Sequence, residues 1–423
     1  MNKVSLLLFF LLAVTTIGCA QESETKVVNP YSKWDGFVLE SNPYYFPIGV
    51  YTQRPEYAGK YKELGINLYY YLWQGPTAEQ ITDLKKYGMR TICEFNEYAK
   101  ENLINDPVVV AWTHLDEPDL VKFSRNKLTK MGQTETKALV KKMWPKMYDK
   151  MELGTKDYKG WGFGYSPEYC REEYEKIKKY DSSRPVILGL SKGVVIKEFN
   201  ARGDRKYNNE DYQNYVNGSG DILSFDIYPV AYKIPEQLNK VADGVDSLAK
   251  WDSKDRLKFV AIECTFGRPD GPSATSEQIR AEIWMAIIRG ARGISYFVHN
   301  FDGDKKFVRS DGLLADPEMM NAIKKQNAEI HSLAKVIYAD ETSNVKINGN
   351  ESKIDFVAKE VDGYLYVLSS TITTEEVEAE FNLDNISNGT IEVINEKRTV
   401  ELKNGKFTDQ FAGYDVNLYK IKL

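Results

Sequence analysis

Asp106-Pro107-Val108-Val109-Val110-Ala111-Trp112-Thr113-His114-Leu115-Asp116-Glu117-Pro118 is the stretch that decides how this 423-residue chain is read. From Val108 to Leu115 it is almost continuously apolar, as a strand covered on both faces must be. It closes on two acids and a proline, which cannot continue a ladder. Seven other runs have the same texture: Phe46–Tyr51, Ile66–Leu72, Met89–Phe95, Val186–Leu190, Ile222–Tyr228, Phe259–Cys264 and Ile294–His299. Helical stretches separate them. Thr77-Ala78-Glu79-Gln80 and Thr275-Ser276-Glu277-Gln278 read as capping boxes. Ile279, Ile283, Ala286, Ile287 and Gly290 repeat at helical spacing. Gly65 and Gly88 sit where helices end before a following strand. Eight strands alternating with helices between residues 44 and 338 predict a (β/α)8 TIM barrel. A doubly wound open sheet is the rival, and it lacks the Gly-rich phosphate loop expected after its first strand.

From residue 339 to 423 the texture changes to short alternating strands: Lys353–Val361, Tyr364–Leu368, Glu376–Leu383, Thr390–Asn395 and Asp415–Leu423. Asp362-Gly363 and Lys403-Asn404-Gly405-Lys406 are hairpin signals. They predict a small all-β sandwich domain beside the barrel.

Composition sets the outer bounds. Apolar residues are 42%, charged residues 28% and the net charge is −5, so the chain is globular and nothing in its overall charge points to nucleic acid. Residues 1–18 read as a signal peptide, with Lys3 ahead of an apolar run too short to span a membrane as a permanent helix. Thr16-Ile17-Gly18-Cys19 resembles a bacterial lipobox, which implies lipid attachment at Cys19. Residues 19–43 then form a tether. The expected location is the outer membrane, on its periplasmic side or at the cell surface, with the membrane reached only through the lipid. Cys93, Cys170 and Cys264 show no metal or disulfide spacing, and His114, His299 and His331 form no ligand pair. No cofactor and no metal are expected.

Chemistry in such a barrel lies at the C-terminal ends of the strands. Glu117 ends the fourth and Glu263 the seventh. Two carboxyls facing one cleft, one protonated and one ionised, are what glycoside hydrolysis requires.

The fourth-strand stretch resembles the Asp-Pro-x-Val-x-x-Trp-x-x-x-(Asn/Asp)-Glu-Pro pattern of clan A glycoside hydrolases. The resemblance implies that Glu117 is the acid/base and Glu263 the nucleophile, roughly 5–5.5 Å apart. Phe225-Asp226-Ile227-Tyr228-Pro229 resembles the clan's His-x-Tyr element, which implies that Tyr228 hydrogen-bonds the nucleophile. Ser182-Ser183-Arg184-Pro185-Val186, after Tyr180-Asp181, resembles the clan's approach to strand five. Asp116 stands where Asn is usual, Asp226 where His is common, and strand eight offers Tyr296, Phe297 and His299 in place of Trp. Further substrate-binding candidates are Asp116, Asp226, Trp73 and Trp161 as stacking faces, Glu94, Asn96 and Glu97 for hydroxyls, and His299.

Between Lys122 and Lys150, nine basic residues face only Glu135 and Asp149. This insertion follows strand four and offers a local positive field for an anionic polymer; Met143, Trp144, Met147 and Met151 read as its buried side. The function expected from the sequence is retaining hydrolysis of a β-linked oligo- or polysaccharide. The alternatives are an inactive glycan-binding lipoprotein and a transglycosylase using the same residues.

Overall fold

The computed structural model describes residues 25–34, 36–37, 41–124, 130–131, 133–144, 162–199, 207–265, 273–301 and 307–423. Cys19, the signal segment and Trp161 lie outside the described residues, as do Met147, Met151 and parts of the basic insertion.

The eight apolar runs form eight parallel strands: β1 Ile48–Gln53, β2 Leu68–Leu72, β3 Arg90–Glu94, β4 Val109–Asp116, β5 Val186–Leu190, β6 Ile222–Asp226, β7 Leu257–Glu263 and β8 Ala291–Phe297. Each pairs with its neighbours in sequence, and β8 closes on β1 through Ile48–Ile294 and Val50–Tyr296. The chain is a closed (β/α)8 barrel. Strand β2 is buried at all five positions, which is why its Leu-Tyr-Tyr-Tyr-Leu sequence shows no alternation.

The helices are α1 Ala58–Glu63, α2 Ala78–Tyr87, α3 Glu97–Asn102, α4 Gln133–Met143, α5 Pro167–Tyr180, α6 Asn209–Gly218, α7 Lys240–Trp251, α8 Ser276–Ile288, α9 Pro317–Ser332 and α10 Ala334–Tyr338. Both expected capping boxes form: Thr77 accepts from Gln80 N–H and Thr275 from Gln278 N–H, with the reciprocal bonds present. Gly88 ends α2 in the left-handed region, φ 62°, where glycine carries no Cβ penalty.

The sandwich has two antiparallel sheets. One orders β9 Val345–Asn348, β12 Val377–Leu383 and β15 Lys406–Phe411; the other orders β10 Ile354–Val361, β11 Tyr364–Thr371, β16 Val416–Lys422, β13 Gly389–Val393 and β14 Arg398–Leu402. Asp362 and Gly363 both take positive φ, 50° and 75°, the geometry that lets a two-residue turn follow the strand twist. Phe381, Phe407 and Tyr419 fill the space between the sheets. β9, β14 and β15 went unread as strands in the sequence, because their alternation is short and mostly polar on the exposed side.

Two contacts differ from the simple two-body picture. Residues expected to belong to a polar tether are packed from Tyr31 onward: Tyr31 is wholly buried, stacks on Phe37 at 4.3 Å and meets Phe259 of β7 edge-on at 6.4 Å. Its hydroxyl donates to Arg292 O at the start of β8, so this segment closes the floor of the barrel. The sandwich also covers α8. Arg289 beyond the helix end binds Asp355 of β10, and Arg280 donates to Val416 O. Helix α8 is therefore buried at nine of the thirteen positions between Ser276 and Ile288, Glu282 among them.

Candidate active site

Strand β4 is locked in place before it delivers its acids. Trp112, fully buried, donates through Nε1 to Asp181 Oδ2 at 2.8 Å. Arg184 pairs with the same carboxylate at 2.8 Å and donates to Val109 O and Asp106 O, both 2.8 Å. Burial alone would raise Asp181. Its hydrogen bonds from Ser183 and Trp112 and the Arg184 guanidinium outweigh that and hold it below the usual carboxylate range. The Asp-Ser-Ser-Arg-Pro segment thus ties β5 to β4 by side chains.

At the strand end the backbone turns sharply. Glu117 has φ 39°, in the left-handed region that a non-glycine residue occupies only where its surroundings hold it there. The hold comes from both sides. Tyr165 N–H donates to Pro118 O at 2.8 Å, and the chain comes so close there that a Cβ on Gly164 would lie 2.3 Å from that oxygen. Asp119 is wholly buried and accepts from Ser191 N–H (3.0 Å), Ser191 Oγ (2.6 Å) and the Tyr212 hydroxyl (3.1 Å).

This turn brings acids together at the barrel mouth. Burial first, then Asp226 of β6, Asp116 and Asp119, push the Glu117 carboxyl well up. Asp226 is pushed up to about 7, by burial and by Asp116 and Asp119, against lowering by Glu117 and Lys192. Asp116 is exposed and accepts from the Tyr51 hydroxyl at 2.6 Å. Glu94 is raised by partial burial and by Asp116. Tyr228 is 7% exposed, with its ring stacked on Phe297 at 5.4 Å. The carboxylates facing its hydroxyl are Asp226, Glu117 and Asp116. Lys192, after β5, lies 3.8 Å over the Tyr232 ring.

Glu263 ends β7 and is 0% exposed. Val230 N–H donates to its Oε1 at 2.7 Å and Ala231 N–H to its Oε2 at 2.8 Å, both from the turn after β6. Glu282 of α8 is its acidic neighbour. Burial raises its carboxyl to about 6, opposed by the two backbone N–H groups and Glu282. Glu117 thus has Asp226 as an acidic neighbour and Glu263 has Glu282, and the turn after β6 presents two N–H groups that the buried Glu263 carboxylate satisfies.

The other expected residues divide between the mouth and the scaffold. Trp73 is 57% exposed at the end of β2, an open aromatic face. Asn96 is the N-cap of α3: it accepts from Ala99 N–H and donates to Pro76 O, so both ends of its amide are engaged. Glu97 is in the first turn of the same helix and exposed. His299 is 7% exposed beside Phe297 (4.8 Å), and burial lowers its imidazole to about 4, which leaves it neutral. Sequence reasoning missed Tyr51, Asp119, Lys192 and Glu282. Only Asp119 left a signal, as the third acid of the Asp-Glu-Pro-Asp run.

No family model matches the chain, and no curated protein matches it. Among solved structures, the α-amylase from Geobacillus thermoleovorans complexed with acarbose superposes with a TM-score of 0.51 at 11% identity, covering 89% of this chain and 98% of that one. A GH42 β-galactosidase from G. stearothermophilus gives 0.51 at 6% identity, over 90% and 98%. The chain therefore has the TIM-barrel fold found in glycoside hydrolases, with a β-sandwich appended.

Proposed function

We propose that the chain is a retaining glycoside hydrolase, with Glu117 as acid/base and Glu263 as nucleophile. The observation that carries the reading is Glu117 itself, held on a strained turn at the end of β4 with its carboxyl pushed up by burial and neighbouring acids. A carboxyl kept protonated near neutrality is what a leaving glycosidic oxygen needs. In the first step a Glu263 oxygen attacks the anomeric carbon, the glycosidic C–O bond breaks and the Glu117 proton goes to the leaving oxygen. In the second, Glu117 takes a proton from water, the water oxygen attacks the same carbon and the bond to Glu263 breaks.

The fold does not choose the linkage, since its neighbours include an α-amylase and a β-galactosidase. A β-linked glycan rests on the Asp-Glu-Pro resemblance. Charge on an anionic glycan would be read by Lys137, Lys141 and Lys142 of α4, all exposed, and not beside Glu117, where Asp116, Asp119 and Asp226 repel it. Lipid attachment at Cys19 is proposed from the lipobox and is tested by loss of labelled palmitate in Cys19→Ala.

A second reading, glycan binding without hydrolysis, is favoured by the complete burial of Glu263. One experiment separates the two. Glu263→Ala is assayed on an activated aryl β-glycoside with and without azide. Rescue by azide, giving the inverted glycosyl azide, supports Glu263 as nucleophile. Wild-type protein that binds a glycan and cleaves none supports the binding reading. Wild-type cleavage with full activity in Glu263→Ala refutes the nucleophile assignment.

A further inference from the structure

We propose that Asp226 is the positioning partner of Glu117: the two carboxyls meet across the ends of β4 and β6 and share one proton, which keeps Glu117 loaded as the acid. The inference rests on Glu117 being the proton donor of the reaction proposed above, and it gives Asp226 a role other than contact with substrate.

Two observations converge. Asp116 at the end of β4 is level with Gly189 of β5, and Gly189 is level with Ser224 of β6, so Glu117 and Asp226 leave the same mouth of the barrel one strand apart, each in the other's electrostatic field. Among the described residues, Asp226 Oδ1 is buried without a hydrogen-bond partner, which leaves its other oxygen and nearby charge to stabilise it. A doubly ionised pair in this setting would leave two anions facing each other and one oxygen unsatisfied.

The remaining charged and titratable neighbours do not supply a replacement for that proton. Asp116 at the end of β4 and Asp119 in the turn beyond it add negative charge toward both members. Asp119 is already committed to Ser191 and Tyr212. From β1, Tyr51 donates to Asp116 and not to the pair. Tyr70 of β2 and Tyr228 after β6 face the cluster as neutral phenols, raised by burial first and then by these acids. Lys192, after β5, faces Asp226 and draws it down only in part.

The chemistry follows from the pairing. An ionised Asp226 holds the proton on Glu117 by a charge-assisted O–H···O bond. When that proton leaves with the glycosidic oxygen, two anions are left in contact. Their repulsion drives Glu117 to take the next proton from water, which is the base step of the second half-reaction.

The test compares wild type with Asp226→Asn. The amide removes the negative neighbour and donates to ionised Glu117, so Glu117 should lose its proton at lower pH. On a substrate with a poor leaving group, the basic limb of kcat/KM should move toward acid by at least about one pH unit, a tenfold loss per unit above it. The ratio of variant to wild-type kcat/KM should be highest near pH 5 and fall as pH rises. Asp226→Glu should restore part of the limb. A merely structural role would lower kcat at every pH and leave the limb in place, which overturns the proposal.

A second measurement needs no turnover. In a differential potentiometric titration, wild type should hold about one proton more than Asp226→Asn between pH 6 and 7. Equal proton counts overturn the sharing. If wild type cleaves no glycan but the extra proton is present, the hydrolase reading fails and the pairing stands.

Discussion

Glu282→Gln isolates the buried carboxyl pair behind β7. Glu282 is wholly buried in α8, and among the described residues neither of its oxygens finds a hydrogen-bond donor. Burial first, then the Glu263 carboxylate, push it well up. Glu263 has two backbone N–H donors and Glu282 has none, so the proton of the pair resides on Glu282. In the unfolded chain both carboxyls ionise near pH ~4.3. The folded protein therefore binds more protons than the unfolded chain above that pH. A raised carboxylate thus makes stability fall as pH rises, until its folded value is passed.

The slope is ~1.36 kcal/mol per pH unit. A carboxyl protonated throughout the interval from pH 5 to 7 loses ~3 kcal/mol relative to one titrating normally. Glutamine offers the same N–H at every pH, so the variant lacks this slope. With an unfolding entropy of ~2.1 cal/mol/K per residue over 423 residues, ~3 kcal/mol corresponds to ~3 °C. Melting curves of both proteins at pH 5, 6 and 7 and fixed ionic strength give the comparison. The Tm of the variant minus that of wild type should grow by ~3 °C across the interval. A difference that stays flat or shrinks refutes a proton held on Glu282.

Two further outcomes test other parts of the molecule. Asp181→Ala removes the acceptor of Trp112 and strands Arg184, which is 7% exposed; it should cost ~3–5 kcal/mol in a chemical denaturation curve, with Asp181→Asn intermediate. Changing Lys137, Lys141 and Lys142 to Glu should lower kcat/KM for a charged glycan at 0.01 M salt far more than at 0.15 M, because screening lengths fall from ~30 Å to ~8 Å. A neutral aryl glycoside should be untouched; equal losses on both substrates would assign these lysines to packing instead, Lys142 lying 5.7 Å over the Tyr169 ring.

The barrel was legible in the sequence because burial on both faces forces long apolar runs, and eight of them alternated with capped helices. The hairpin turns were legible for a local reason: Asp362-Gly363 and Asn404-Gly405 are residue pairs that tolerate positive φ. Glu117 was legible through its place at a strand end, which fixes where a side chain emerges. What the carboxyls meet was decided by tertiary structure alone. Glu117 and Asp226 lie 109 positions apart in the numbering, and only closure of the barrel brings β4 and β6 to the same mouth. Glu282 carries no strand-end signal in the sequence. It is a buried acid because α8 packs against the barrel and sets it beside Glu263, whose own oxygens are taken by two N–H groups of the turn after β6. Strand-end position is a local property of the chain. Pairing, burial and the proton that two carboxyls share depend on segments distant in sequence, so no local reading of the sequence contains them.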